Sequence, residues 1–242
     1  MTYDMNSYSV AVGLLRLIHK MPLEKSWNVL SHALDDIRCG LHTVNCRKAD
    51  DQTLEDYLIS KVDRNLKLTA ESDKYIRNLE QYRFVWVNGR KYHTLQYYKE
   101  MFLHDHLRKV FAGDLYADIH GDLTVENIVC VTDPSEIDQR EYAGKKAPVD
   151  YYLIDPNTGN VHDSPFLDFA KLLQSLHGNY EFLMKVHTVE IEKDQVHFLM
   201  AKSEAYVNIY KKYQAYLEAN FTSHEVLSIY YHEVVHWLRL MP

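Results

Sequence analysis

Apolar side chains recur at helical spacing along most of the first 80 residues. Over residues 8–20 a stripe of Leu14, Leu15, Leu17 and Ile18 predicts a helix, which Pro22 ends. A second helix is predicted over 25–43, carrying Trp27, Val29, Leu30, Leu34 and Ile37. A third runs over 51–68, with Leu54, Tyr57, Leu58 and Val62 near one face, and a fourth follows Glu71 through Tyr75, Ile76 and Leu79. The period then changes. Residues 85–92 hold an Asn88-Gly89 pair between apolar positions, the signature of a tight hairpin turn. A helix is expected over 95–111, stopping at Ala112-Gly113.

The middle of the chain has a different character. Residues 115–119, 128–132 and 149–154 are short, apolar and partly β-branched, and read as small strands around a loop-built site. The polar stretch 133–148 reads as an exposed connection. Helix returns near 164–176, with Ser164 as N-cap and Pro165 in the first helical position, and His177-Gly178-Asn179 closes it. Partial alternation over 184–200 predicts a second hairpin with its turn near Glu192-Lys193-Asp194. Two helices, 202–219 and 223–240, finish the chain. The pattern is α+β and mostly helical, in three parts: helices over 8–112, a site segment over 115–178, and a hairpin with helices over 184–242.

Composition narrows the function classes. The 242 residues are 46% hydrophobic and 25% charged, as in a globular protein with a substantial core. A formal net charge of −7 lacks the basic footprint of a nucleic-acid binder and suits a neutral or cationic substrate. No run approaches the length of a membrane span, and residues 1–7 do not read as a signal peptide. Cys39, Cys46 and Cys130 have neither metal-ligand spacing nor a disulfide framework, so the expected setting is a reducing cytoplasm. The 19 tyrosines are read as amphipathic core edges.

The chemistry concentrates at residues 118–129. Asp122 and Asn127 lie five positions apart in a short polar loop between apolar segments. Twenty-eight residues after Asn127, the apolar run Tyr151-Tyr152-Leu153-Ile154 ends in Asp155. This is the layout of a phosphoryl-transfer site, in which one carboxylate orients and deprotonates a hydroxyl while a carboxamide and a second carboxylate hold a divalent metal on the nucleotide phosphates.

Three blocks carry a family resemblance: His120-Gly121-Asp122-Leu123 with Asn127-Ile128, then Leu153-Ile154-Asp155-Pro156, then the run from Ser164-Pro165 through Asp168-Phe169-Ala170-Lys171-Leu172-Leu173. In this order and spacing they resemble the aminoglycoside phosphotransferase and choline kinase superfamily, the small-molecule branch of the protein-kinase-like fold. The resemblance implies that Asp122 is the catalytic base, that Asn127 and Asp155 ligate Mg2+ on ATP or GTP, that His120 ties down the catalytic loop, and that Asp168 braces it from the following helix. The implied acceptor is a small-molecule hydroxyl, with acceptor-recognising residues within 25–110 and 200–240. The run at 168–176 also resembles kinase-like segments of bacterial capsule and surface-polysaccharide loci, sometimes attached to sugar nucleotidyltransferases, which suggests a sugar acceptor.

The chain departs from these relatives in its first third. Residues 1–80 read as helix after helix, and no glycine-rich turn or strand-borne lysine precedes residue 83. By resemblance, residues 8–21 match the helix after the interlobe hinge. The chain is therefore expected to be a C-terminal lobe nearly alone, without the N-terminal β lobe. Either a longer parent protein supplies that lobe or this member has lost it. Little phosphotransferase activity is expected of the chain by itself, and a non-catalytic, pseudokinase-like binding module is the alternative.

A competing motif is His232-Glu233-Val234-Val235-His236, which fits H-E-x-x-H and would suit a zinc hydrolase. No third ligand follows it before Pro242, and Val234, Val235, Trp237 and Leu238 read as packing surface with His232 and Glu233 nearer solvent. His104-Asp105-His106 reads as a solvated helix face.

Overall fold

The computed structural model describes residues 11–72, 74–98, 104–130, 151–157, 159–201 and 203–241. The apolar stripes of the first third become α1 (Leu14–Lys20) and α2 (Leu23–Cys39), separated by Pro22. The first helix starts later than its pattern predicts, because Val12–Gly13 forms a short strand, β1, instead. Helix α2 ends at Cys39, and residues 41–43 tighten into a single 3-10 turn. A two-residue strand, β2 (Arg47–Lys48), follows. Asp50 then caps α3 (Asp51–Leu58), accepting the Thr53 N–H at 2.7 Å and the Thr53 hydroxyl at 2.6 Å. The helix continues through a π turn at Ile59–Asp63 into α4 (Arg64–Ser72), with Val62 on the buried face.

The next elements are α5 (Lys74–Leu79) and the expected hairpin of β3 (Phe84–Val87) and β4 (Arg90–His93). Its turn has φ of 49° at Asn88 and 77° at Gly89, the left-handed pair that an Asn-Gly sequence accommodates. The helix expected over 95–111 is described as two stretches, α6 (Leu95–Tyr98) and α7 (His104–Phe111). The strand at 115–119 is shorter than expected: β5 (Leu115–Tyr116) pairs with β2, and residues 117–124 are irregular. Strands β6 (Ile128–Cys130) and β7 (Tyr151–Leu153) pair antiparallel, and β1 adds to β6 to give the order β1-β6-β7. The connection expected at 133–148 lies outside the described residues.

Helix α8 (Phe166–Leu176) begins one to two residues later than predicted, although Pro165 already has helical angles and the Ser164 hydroxyl accepts the Phe166 N–H at 3.3 Å. A short α9 (Tyr180–Leu183) leads to β8 (Val189–Glu192) and β9 (Gln195–Phe198). The two hairpins are not separate, as their patterns suggested. Strand β3 runs parallel to β9, giving one four-stranded sheet in the order β4-β3-β9-β8. The chain closes with α10 (Glu204–Asn220), capped by Ser203, and α11 (Ser223–Leu238), opened by a Thr222/Glu225 capping box.

Helix α8 is the centre of the packing. Phe169, Leu172, Leu173 and Leu176 join an apolar cluster with α1, α2 and α10, while Leu167 points into a second cluster with α3, α7 and α11. Its C-terminal end lies close to α11. A Cβ on Gly178 would come within 2.3 Å of the Trp237 ring, so only glycine fits there. The fold is α+β with helices predominating, and α8 lies directly beneath the loop that carries Asp122.

Candidate functional site

The loop between β5 and β6 is held from below by Asp168 in the first turn of α8. This carboxylate is fully buried. Its Oδ1 accepts the Gly121 N–H at 2.7 Å, and its Oδ2 accepts the His120 N–H at 2.8 Å and meets His42 Nε2 at 2.9 Å. Three donors on one buried carboxylate fix two consecutive peptides of the loop. Gly121 is required at the bend: φ is 78°, and a Cβ would fall 2.3 Å from the Asn157 carbonyl oxygen.

His120 links this loop to the segment after β7. Its Nδ1 accepts the Asp122 N–H at 3.4 Å, which leaves Nε2 to donate to the Ile154 carbonyl at 3.0 Å. The Asn157 N–H returns to the His120 carbonyl at 2.8 Å. Ile154 is gripped on its other side as well, its N–H donating to the Asn127 carbonyl at 3.0 Å. The next residue, Asp155, then turns into the left-handed region at φ 56°. Its side chain is exposed and, among the described residues, has no hydrogen bond or ion pair.

Asn127 closes the loop. Its Nδ2 donates to the Asp122 carbonyl at 2.7 Å and lies 3.3 Å from Asp122 Oδ2. Both contacts are acceptors, so the amide orientation is set and Oδ1 remains as an uncommitted acceptor. The other Asp122 oxygen, Oδ1, is 3.0 Å from Lys171 Nζ. Asp122 and Asn127 are thus in direct contact, and the residue before Asp155 is bonded to the Asn127 carbonyl. A cavity of about 380 Å³ adjoins the loop, bordered by Gly13, Leu15, Arg16, Glu126, Phe182 and Lys185.

The oxygens left open, the Asp155 carboxylate and the Asn127 carboxamide, are hard donors of the kind that Mg2+ selects. Of the site residues expected from the sequence, Asp122 and Asn127 meet directly, Asp155 follows the residue bonded to Asn127, and His120 and Asp168 bond to the loop. Three participants were not assigned roles from the sequence: His42, which steadies Asp168; Lys171, which meets Asp122; and Ser175, whose hydroxyl receives the Val125 N–H at 3.5 Å. Lys171 carried a legible signal, since it is a lone charged residue one turn beyond Asp168 in an apolar run.

The H-E-x-x-H residues are arranged otherwise. His232 and Glu233 do not face solvent as expected; both are buried, as is His236. Glu233 takes His177 Nδ1 at 2.9 Å, a hydrogen bond that raises the His177 pKa against the opposing effect of burial. His236 Nε2 goes to the Leu167 carbonyl at 3.2 Å, and burial holds its pKa well below the ordinary histidine value. His232 Nε2 goes to Asp114 at 2.8 Å. The two motif histidines are thus committed to different partners. The face at 104–106 is solvated as expected at Asp105 and His106, while the half-buried His104 meets Glu55 and Asp63, each at 2.9 Å.

Asp114, His162 and His232 form a buried group with the composition of a metal site. Its hydrogen bonds already close without an ion. Asp114 accepts from His232 at 2.8 Å, from His162 at 3.4 Å, and from the Ser164 and Ser228 hydroxyls, each at 2.9 Å. The remaining nitrogens, His232 Nδ1 and His162 Nδ1, meet the Tyr57 and Tyr116 hydroxyls at 3.0 and 2.8 Å. Burial acts to raise the Asp114 pKa, but the bonds from both histidines outweigh it and hold this carboxyl below its usual range. Burial likewise lowers the His232 pKa and favours the neutral ring this pattern needs.

Searches against protein-family models, curated proteins and solved structures gave no match for this chain.

Proposed function

We propose that this chain is the catalytic lobe of a small-molecule phosphotransferase, moving the γ-phosphate of ATP or GTP to a hydroxyl of a sugar, amino alcohol or similar acceptor. Asp122 is the base that takes the hydroxyl proton, and Asn127 and Asp155 are the residues that would hold Mg2+. The metal would supply charge neutralisation on the nucleotide phosphates. The observation that carries the reading is the meeting of two chain segments. Asp122 and Asn127 touch at 3.3 Å, and Asp155 directly follows Ile154, whose N–H bonds to the Asn127 carbonyl at 3.0 Å. Phosphoryl transfer demands positioned charge more than covalent chemistry, and every support of this loop acts on position. The cavity beside Glu126 and the start of α1 is the place proposed for the nucleotide.

On this reading full turnover requires a lobe that covers the nucleotide phosphates. The test starts with metal. Mn2+, a paramagnetic stand-in for Mg2+, is titrated into the full chain and followed by electron paramagnetic resonance. One weak site is expected, lost in Asp155→Asn and retained in Asp122→Asn. In a parent protein with the covering lobe, Asp122→Asn abolishes phosphotransfer. Mn2+ affinity unchanged by Asp155→Asn defeats the reading. Turnover insensitive to Asp122→Asn turns it into that of a binding module.

A further inference from the structure

Helix α8 is buried at ten of its eleven positions, and Lys171 is the exception. A lysine in so apolar a helix costs solvation unless it has a specific anion to meet. Lys171 meets Asp122. Its ammonium lies 3.0 Å from Asp122 Oδ1 and 3.2 Å from Gln174 Oε1, with 15% of its side chain exposed against 35% for Asp122. It stands three residues after Asp168, so the two lie on one helix face. Asp168 holds the loop backbone at 120 and 121, and Lys171 holds the side chain at 122.

A purely structural ion pair would serve as well at a distance from the reacting groups. Here the cation sits on the residue that must receive a proton, on the carboxylate oxygen that Asn127 leaves free. The transferred phosphoryl group has to pass beside that carboxylate, and the negative charge on its oxygens is what a fixed ammonium at this position can neutralise.

We propose that Lys171 is the phosphate-facing cation of this site: it holds Asp122 in the resting protein and binds an oxygen of the terminal phosphoryl group when nucleotide is present. This rests on the phosphotransferase reading above and adds to it a residue and a role. In the transfer, the acceptor oxygen bonds to the γ-phosphorus as the bond from phosphorus to the bridging oxygen breaks. The leaving diphosphate keeps that electron pair, and the acceptor proton passes to Asp122. Lys171 remains an ammonium throughout and exchanges nothing.

The test uses the full chain and two probes, Mn2+ alone and Mn2+ with inorganic tripolyphosphate, which carries the phosphate charge without needing a nucleoside pocket. Lys171→Met is expected to leave Mn2+ affinity unchanged and to weaken tripolyphosphate binding by about 10-fold or more, the loss of one charge-assisted hydrogen bond. Lys171→Arg restores most of it. A merely structural lysine moves folding stability and leaves the tripolyphosphate increment intact, which overturns the proposal. It is also overturned if the wild-type chain takes up no tripolyphosphate at millimolar concentration. The Mn2+ arm keeps the two ideas apart: loss of Mn2+ in Asp155→Asn preserves the phosphotransferase reading even when the Lys171 result is negative.

Discussion

Two polar centres in this molecule use the same residue types, and they end in opposite states. Around Asp114, two imidazoles and two serine hydroxyls converge on one carboxylate, two tyrosines close the far sides of the rings, and Asp114, His162 and His232 are each 2% exposed or less. Phe111 stacks on His232 with ring centroids 3.9 Å apart, and Tyr57 stacks on His162 at 4.6 Å. Around Asp168 the carboxylate itself is likewise filled by three donors, but these are two loop peptides and His42, and the loop they hold leads to side chains that are partly open. Asp155 has no partner among the described residues, and Asp122 keeps a third of its side chain in solvent. The difference separates a polar group that completes a core from one that aims other groups. Composition does not separate them, because the Asp114 centre has the more metal-like residue set.

Removing the centre of the closed network has the largest expected effect. Asp114→Ala leaves two imidazoles and two hydroxyls without their acceptor in a dry interior, and is expected to cost about 3–5 kcal/mol in urea unfolding. A cost near that of a surface substitution would break the comparison, since the network would then not be a closed unit. Next is Gly121→Ala, which forces a Cβ against Asn157 and Asn160 at positive φ. It is expected to cost about 1–3 kcal/mol and to weaken Mn2+ binding by displacing the loop that orients Asn127, read by thermal denaturation and metal titration together. The smallest effect on stability sharpens the contrast most. Asp155→Asn should shift stability by less than about 0.5 kcal/mol, because the residue is exposed and unpartnered and asparagine tolerates its left-handed backbone. On the proposed function the same substitution should abolish Mn2+ binding. A large stability loss there would mean that Asp155 has a structural partner and is not held ready for a ligand.

Much of this was legible along the chain, and the reasons differ by element. Helices with a clear apolar stripe, α2 and α10 among them, fall within a few residues of their patterns because burial of that stripe is what forms them. The Asn88-Gly89 turn was readable because its backbone angles admit few residue types. The loop from His120 to Asn127 was readable as a motif, and Asp168 and His120 bond to it and to the segment after β7. What the chain did not disclose depends on distant partners. Nothing in residues 12–13 marks them as a strand, since β1 exists only because β6 offers an edge. The burial of His232 and Glu233 could not be read from a helix pattern, because it is set by Asp114 and His177, which are remote in sequence. Lys171 stood in plain view in an apolar run, but its meaning required knowing which loop passes over α8.

The parallel seam between β3 and β9 carries a consequence for how the chain folds. Asn88 accepts the Phe198 N–H at 2.9 Å across 110 positions of sequence, while each hairpin on its own closes over only a few residues. The local turns can form within microseconds of collapse, but the seam has to wait until everything between them has found its place. Formation of that sheet is therefore a natural clock for the final stage of folding, and protection of the Phe198 amide from hydrogen exchange is the signal by which it can be read.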